Sequence, residues 1–311
     1  MEKVCLGVDV GGTNLRCAVV SDKGEVFMRV RFPTEIDNGR AYFLDTLHQA
    51  LAGLVLEAEA LGKTVVAVGL GVPGLISNSG LVHNSVNLQP LVGLNITEAV
   101  SQRLGLPVVS LNDANASALG EQRYGAGRHY RSVLVLTLGT GVGSGLILDG
   151  RLWTGADGIA AEFGHATVEP LGRRCRCGNV GCLEQYASAT AIANTATEMR
   201  RFGTDVVMTA DAVGILAANG NPHAIAVFNE AGRYLGIAAA TVANLLNLEA
   251  LILTGGVAES FDLLVEPMRR EMVARAFEIP GARMNIIKGE LGDDSGILGA
   301  TAIAFDLLAG R

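Results

Sequence analysis

Four side chains suited to a metal stand close together in the sequence: His165, and then Cys175, Cys177 and Cys182 in the run Cys175-Arg176-Cys177-Gly178-Asn179-Val180-Gly181-Cys182. One imidazole and three thiolates complete a tetrahedral shell around Zn2+, the closed form expected of a structural rather than a catalytic site. Unliganded surface thiols are the plainer alternative, but three of the chain's five cysteines within eight residues read as metal before disulfide. Glu162 and Glu184 flank the ligands without being needed in the shell. Their carboxylates are free to accept hydrogen bonds from the hydroxyls of a neutral ligand, although each alone reads as readily as a solvated surface acid.

Two glycine-rich tips suggest a second chemistry. Asp9-Val10-Gly11-Gly12-Thr13 and Leu138-Gly139-Thr140-Gly141-Val142-Gly143 each fall between two apolar runs, as at the turn of a β-hairpin. Glycine lets backbone N–H groups approach phosphate oxygens, so a pair of such tips suits the two ends of a triphosphate, whereas ordinary hairpin turns would need no ligand. Asp9 stands where a carboxylate can hold Mg2+ through water. Bulk at Gly141 is then expected to hinder ATP far more than a second substrate. Neither tip is a G-x-x-x-x-G-K-[ST] loop, which excludes that nucleotide-binding class. Asn112-Asp113 sits at a strand end and a helix start, where Asp113 can serve as an N-cap or, beside bound phosphates, accept the proton of an attacking hydroxyl.

The elements that must carry these groups follow from apolar patterning. Val4 to Val10 and Leu15 to Val20 form the first hairpin, Val26 to Arg31 adds a strand, a helix spans about Arg40 to Leu61, and Val65 to Leu70 leads into Gly71-Val72-Pro73-Gly74. A helix near Thr97 to Leu104 precedes a strand at Pro107 to Leu111, and Asn112-Asp113 opens the helix Ala114 to Tyr124. Ser132 to Leu138 and Ser144 to Leu148 repeat the opening strand, tip and strand, an internal duplication of architecture. From Ala187 the chain is mainly helical, with a long helix over Ala224 to Leu246, a strand from Ala250 to Leu253 ending at Gly255-Gly256, and a last helix from Gly296 to Leu308. Domains are expected at 1–112, joined by the C-terminal helix 296–311, and at 113–295, packed closely around a shared cleft.

At 311 residues, with 49% hydrophobic and 18% charged residues, the chain can fill a core without disulfides, and its 40 glycines suit an α/β protein with many tight turns. Cys5 and Cys17 fall in apolar strands as core residues. A formal charge of -7 argues against nucleic-acid or anionic-membrane partners, which need a positive field. The apolar stretch Leu235 to Leu253 is interrupted by Asn244, Asn247 and Glu249, so it reads as a buried helix and strand, not a membrane span. No secretory signal pattern opens the chain, and a cytoplasmic location is expected.

Together the two tips, Asn112-Asp113-Ala114-Asn115-Ala116, Glu162-Phe163-Gly164-His165, the C-x-C-G-x-x-G-C-x-E run and Gly296-Ile297-Leu298-Gly299-Ala300 resemble the ROK family of bacterial sugar kinases and repressors. The resemblance implies a two-domain actin-like (ribonuclease H-like) α/β fold, its duplicated units around a central cleft. It implies ATP and Mg2+ at Asp9, Gly11, Gly12, Thr13, Gly139, Thr140, Gly141 and Gly143, with Gly255 and Gly256 against the adenosine. Asp113 is then the general base. Asn87, Asn112, Glu162, His165 and Glu184 face a hexose, most simply glucose phosphorylated at O6, with mannose, allose, fructose or an N-acetylated amino sugar as alternatives. A dimer or tetramer is also implied. The sequence departs from the family pattern at Val86, a place often held by proline, and in lacking tryptophan between Gln89 and Asn95. A sugar-sensing repressor would be expected to carry a helix-turn-helix before the first tip, and that tip begins at Asp9.

Overall fold

The structure, a computed structural model, describes residues 1–199, 201 and 208–310. Residues 200 and 202–207 of the helical stretch expected from Ala187, and residue 311 of the expected C-terminal helix, lie outside the described residues. The chain divides into two compact units, Met1–His129 with Gly145–Ala161 and Asp293–Arg311, and Tyr130–Ser144 with Glu162–Gly292.

In chain order the elements are β1 (Glu2–Val10), β2 (Asn14–Ser21), β3 (Val26–Pro33), α1 (Arg40–Ala60), β4 (Lys63–Val72), β5 (Leu75–Ile76), β6 (Val82–Asn84), α2 (Ile96–Leu104), β7 (Val108–Asn112), α3 (Asp113–Tyr124), β8 (Val133–Leu138), β9 (Val142–Leu148) and β10 (Arg151–Leu152). There follow α4 (Glu184–Ala187), α5 (Ala189–Glu198), α6 (Ala210–Ala218), α7 (Pro222–Leu246), β11 (Ala250–Thr254), α8 (Phe261–Arg275), α9 (Glu278–Arg283), β12 (Asn285–Lys288) and α10 (Ser295–Leu308). The two main sheets have the orders β3-β2-β1-β4-β7 and β10-β9-β8-β11-β12, so the duplication read from the tips extends to strand order. Among the described residues no helix is long and apolar enough to cross a membrane.

In the first unit β1 is buried on both faces, and its period of two sorts its neighbours. Val4, Leu6, Val8 and Val10 share a core with Phe43, Leu47, Leu51 and Leu54 of α1, spaced so that one helical face lies on the sheet. The opposite face, with Cys5 and Ala67, packs on Ala304 of α10. There α10 approaches closely because its residues are small: a Cβ at Gly299 would collide with the Ala116 carbonyl of α3, and one at Gly69 with the Ala300 carbonyl. The Gly296 to Ala300 run thus seats α10 against β1 and β4, and α3, which begins at Asp113, against α10.

In the second unit β11 lies parallel between β8 and β12, with Ala250 opposite both Val133 and Asn285. The long α7 begins with Pro222 behind an Asn221 side chain that accepts from the His223 and Ala224 amides, and it ends at Asn247 in the left-handed region. The stretch Leu235 to Leu253 is accordingly helix α7 followed by strand β11.

Candidate active site

Strand register decides which groups of the first unit meet. β1, β4 and β7 run parallel, with Asp9 opposite Gly71 and Val72 opposite Asn112. The C-terminal ends of these neighbouring strands therefore carry the first tip, the Gly71 to Gly74 loop and Asn112-Asp113 along one edge, where parallel sheets place their ligands. The tip is closed by the Gly11 amide on the Asn14 carbonyl (2.8 Å) and by Thr34, whose hydroxyl donates to the Gly11 carbonyl (2.6 Å) and whose amide donates to Thr13. Asn87, from the exposed stretch after β6, packs on this tip: a Cβ at Gly12 would stand 3.1 Å from the Asn87 Cβ. Its neighbour Val86 is 82% exposed, so no rigid residue is required at that position by packing.

Asn112 is more occupied than the sequence suggests. Its Oδ1 accepts from the Ala114 and Asn115 amides (2.9 and 3.2 Å), capping α3, while its Nδ2 donates to the Gly74 carbonyl (2.9 Å). One amide hydrogen remains for a ligand. Asp113 opens α3, its Oδ1 taking the Ala114 amide at 2.9 Å. Asp9 is nearly buried and paired with Arg16 at 2.5 Å, and Arg16 also reaches Asp293 at 3.2 Å. Burial pushes the Asp9 carboxyl above the ordinary carboxylate range; the Arg16 charge and hydrogen bond oppose this and Asp293 adds to it. Sequence reasoning missed Arg16, which engages Oδ2 of Asp9 and leaves Oδ1 outside that pair.

In the second unit the tip is shorter than expected, because Val142 and Gly143 already belong to β9 and the turn proper is Gly139–Gly141. Its carbonyls are engaged from behind. The Ala189 amide donates to Gly139 (2.8 Å) and the Thr190 hydroxyl to Thr140 (2.8 Å), both from the start of α5. Gly255, at the end of the adjacent β11, packs on the tip's base, where its Cβ would lie 2.6 Å from the Leu138 carbonyl, while Gly256 faces open space.

Val142 gathers the remaining candidates. Its amide donates to Glu184 Oε2 (3.2 Å), and its carbonyl abuts Gly164, where any Cβ would collide with it. That contact explains the glycine in Glu162-Phe163-Gly164-His165. The turn carrying Glu162 and His165 is fixed further by the Phe163 amide on Ser144 Oγ (2.9 Å). Surrounding protein raises the Glu162 carboxyl above its usual range chiefly by desolvation, with repulsion from Glu184 adding to the rise and His165 opposing it. The three groups are electrostatic neighbours.

The ligand atoms of His165, Cys175, Cys177 and Cys182 all lie within 4.8 Å of one another. Cys177 Sγ is 3.7 Å from Cys182 Sγ, and Cys175 Sγ is 3.7 Å from His165 Nδ1. Zinc–sulfur bonds of about 2.3 Å and zinc–nitrogen bonds of about 2.0 Å in a tetrahedron give edges of roughly 3.5–3.8 Å, so the set fits Zn2+. With Nδ1 turned to the metal, Nε2 of His165 is left for another partner. Arg173, also missed from sequence, braces the loop. Its guanidinium donates to the Gln185 carbonyl (2.8 Å) and Thr195 Oγ1 (3.0 Å), and lies 5.0 Å from the Tyr186 ring centre.

Paired glycine-tipped hairpins at the ends of parallel strands, duplicated in one chain, define a protein of the actin-like ATPase fold. The chain belongs to the ROK family, whose family model matches residues 5–306. A glucokinase from Halalkalibacterium halodurans is 35% identical, covering 94% of this chain and 92% of that protein. The ROK hexokinase of Thermus thermophilus superposes with a TM-score of 0.85 at 30% identity, covering 99% of this chain and 100% of the other. A ROK glucokinase from Streptomyces griseus, solved with glucose and AMPPNP, gives 0.79 at 33% identity, with 97% and 99% covered.

Proposed function

We propose that the chain transfers the γ-phosphoryl group of ATP to a hexose hydroxyl, O6 of glucose before the other hexoses. The observation that carries this reading is the convergence on Val142, whose amide donates to the Glu184 carboxylate and whose carbonyl abuts Gly164, between Glu162 and the metal-ligating candidate His165. Such a set suits a neutral polyol beside an anion. The glucose and AMPPNP bound by the Streptomyces griseus relative support it.

In this reading Asp113 accepts the proton of the attacking hydroxyl, while Asn87, the spare amide hydrogen of Asn112, Glu162, His165 and Glu184 orient the sugar. The amides of Gly12, Thr13, Thr140 and Gly141 hold phosphate oxygens, while those of Gly11 and Gly139 close the two turns on the Asn14 and Gly141 carbonyls and let the backbone come near the phosphates; Gly143 lies in the strand behind the second tip, and Gly255 and Gly256 face the adenosine. Magnesium, beside Asp9, offsets phosphate charge when bound. Zinc would be held by His165, Cys175, Cys177 and Cys182, and its chemistry is geometric, restricting where Glu162 and Glu184 point. The protein acts in the cytoplasm as a dimer or tetramer, without nucleic-acid or membrane partners.

A coupled assay over a panel of hexoses tests the substrate, with the highest kcat/KM expected for glucose. Asp113→Asn tests the base: the amide still accepts the Ala114 amide but takes no proton, so kcat should fall roughly 10²- to 10⁴-fold with sugar affinity kept. Turnover within a few-fold of the parent would remove Asp113 from the mechanism.

A further inference from the structure

We propose that Glu184 couples the two substrates, so that a sugar bound to its carboxylate raises the affinity of the Gly139–Gly141 tip for the triphosphate. This rests on the assignment of Glu184 to the sugar and of the tip to phosphate. The carboxylate lies between the tip and the metal-ligating cysteines. Oε2 accepts the Val142 amide at the end of the tip and would lie 2.5 Å from a Cβ at Gly141, while Oε1 is 3.9 Å from Cys175 Sγ of the metal shell.

A negative charge resting on a loop that takes phosphate opposes the phosphate. The contact is close and Val142 beside it is buried, which reduces the screening of this opposition below that of a fully exposed pair. It also engages a backbone donor that an anion-binding tip would otherwise present. A sugar hydroxyl donating to the same carboxylate draws its charge away from the tip and weakens its hold on Val142. The sugar therefore lowers the cost of bringing phosphate to Gly139–Gly141. Linkage makes the effect reciprocal: nucleotide must tighten sugar by the same factor. The second sugar-facing segment reinforces the link, since Gly164, between Glu162 and His165, sits on the Val142 carbonyl. Val142, directly after the tip, thus meets Glu184 at its amide and, at its carbonyl, the segment that carries Glu162 and His165.

The test is calorimetric titration of the zinc-loaded protein with Mg2+ and a non-hydrolysable ATP analogue, with and without saturating glucose. In the parent, glucose should tighten the analogue by about 5- to 150-fold, the usual range of coupling between sites. Glu184→Gln removes the charge and keeps an oxygen that can accept from Val142. It should bind the analogue more tightly than the parent in sugar-free buffer, and glucose at its own saturating concentration should change that affinity less than about twofold, far below the parent's coupling. Glu184→Asp retains the charge on a side chain one methylene shorter, and its analogue affinity in sugar-free buffer should lie closer to the parent's than that of the amide. Zinc content and melting temperature establish that each variant is folded. Equal analogue affinity in the parent with and without glucose, or a sugar-free affinity of Glu184→Gln no tighter than the parent's, overturns the coupling. If the parent phosphorylates no hexose, the functional reading fails first and takes the coupling with it; if it does but binds its substrates independently, only the coupling fails.

Discussion

Replacing Gly141 with alanine puts a methyl group where the structure has a carboxylate. The new Cβ would lie 2.5 Å from Glu184 Oε2 and 3.4 Å from its Cδ, and among the described residues no backbone atom beyond its chain neighbours approaches it within 4 Å. Gly141 is not among the residues with positive φ, so alanine fits the local backbone. The strain must be relieved by the glutamate, which has to withdraw by about 1 Å to reach ordinary contact distance. That takes Oε2, now 3.2 Å from the Val142 nitrogen, out of hydrogen-bonding range. A hydrogen bond to a charged group contributes about 1.5–3 kcal/mol, and the length of this one places it at the lower end. The displaced carboxylate also leaves its place against the sugar, and losing one charged hydrogen bond of that size to a sugar hydroxyl raises the sugar KM about tenfold, since about 1.4 kcal/mol is a factor of ten. The ATP KM should move less, because the methyl obstructs phosphate while the retreating carboxylate relieves repulsion. The sequence alone suggests the opposite order, with ATP hindered and sugar spared. Steady-state kinetics with each substrate varied at saturation of the other distinguish the two; an unchanged sugar KM with a raised ATP KM would refute the contact between Glu184 and the tip.

Cys177→Ala leaves three ligands, and zinc affinity should drop by more than the roughly 10- to 100-fold typical of losing an outer-shell partner; metal analysis should find less zinc, and titration should find weaker sugar binding with nucleotide affinity changed less. For Asp9 the raised carboxyl pKa sets the sign of a pH effect: the folded state holds its proton to higher pH than the unfolded one, so its contribution to stability declines as pH rises from about 3.9 toward the raised value. Asp9→Asn should flatten that decline in melting temperature against pH, and an unaltered profile would show that Asp9 is not the group responsible. Arg173→Met removes two hydrogen bonds of the guanidinium, worth about 1 kcal/mol each, while its half-exposed ion pairs to Glu198 and Glu230 add little. Urea unfolding should show a loss of about 2 kcal/mol, and the sugar KM should rise with the loosening of α4, an effect Arg173→Lys should partly restore.

What the sequence made legible was whatever depends on local pattern. The Cys175 to Cys182 run, the two tips and the Asn112-Asp113 turn could be read because ligand spacing and glycine placement are local requirements, and the long α7 because its apolar period runs over many residues. The short β12 has only four residues and no contrast with its surroundings, and it was not read at all. Arg16 and Arg173 were missed for a different reason. An arginine reads as a solvated surface group until its partners are known, and those partners are brought in by the fold: Asp293 for Arg16, and Thr195 and Glu230 for Arg173.

The roles of Asn87 and Glu184 were assigned from motif, but their placement follows from packing and changes what they do. Each rests on a glycine of its own unit's tip, Asn87 on Gly12 and Glu184 on Gly141. At Gly141 the Glu184 carboxylate occupies the space where a Cβ would go, whereas at Gly12 a Cβ would be in tight contact with Asn87, 3.1 Å from its Cβ. A glycine in such a tip therefore has two reasons to be glycine, one facing phosphate and one facing the neighbouring side chain, and sequence shows only that a glycine is there. The consequence differs between the units. An amide against Gly12 is neutral and leaves the first tip's field unaltered, whereas a carboxylate against Gly141 sets a negative charge beside the second. If sugar and nucleotide communicate through these contacts, the charge should be felt at the second tip and not the first. Asn87→Ala should then weaken sugar without altering how far sugar tightens nucleotide, and a loss of that tightening equal to the loss caused by Glu184→Gln would show that the coupling does not run through charge.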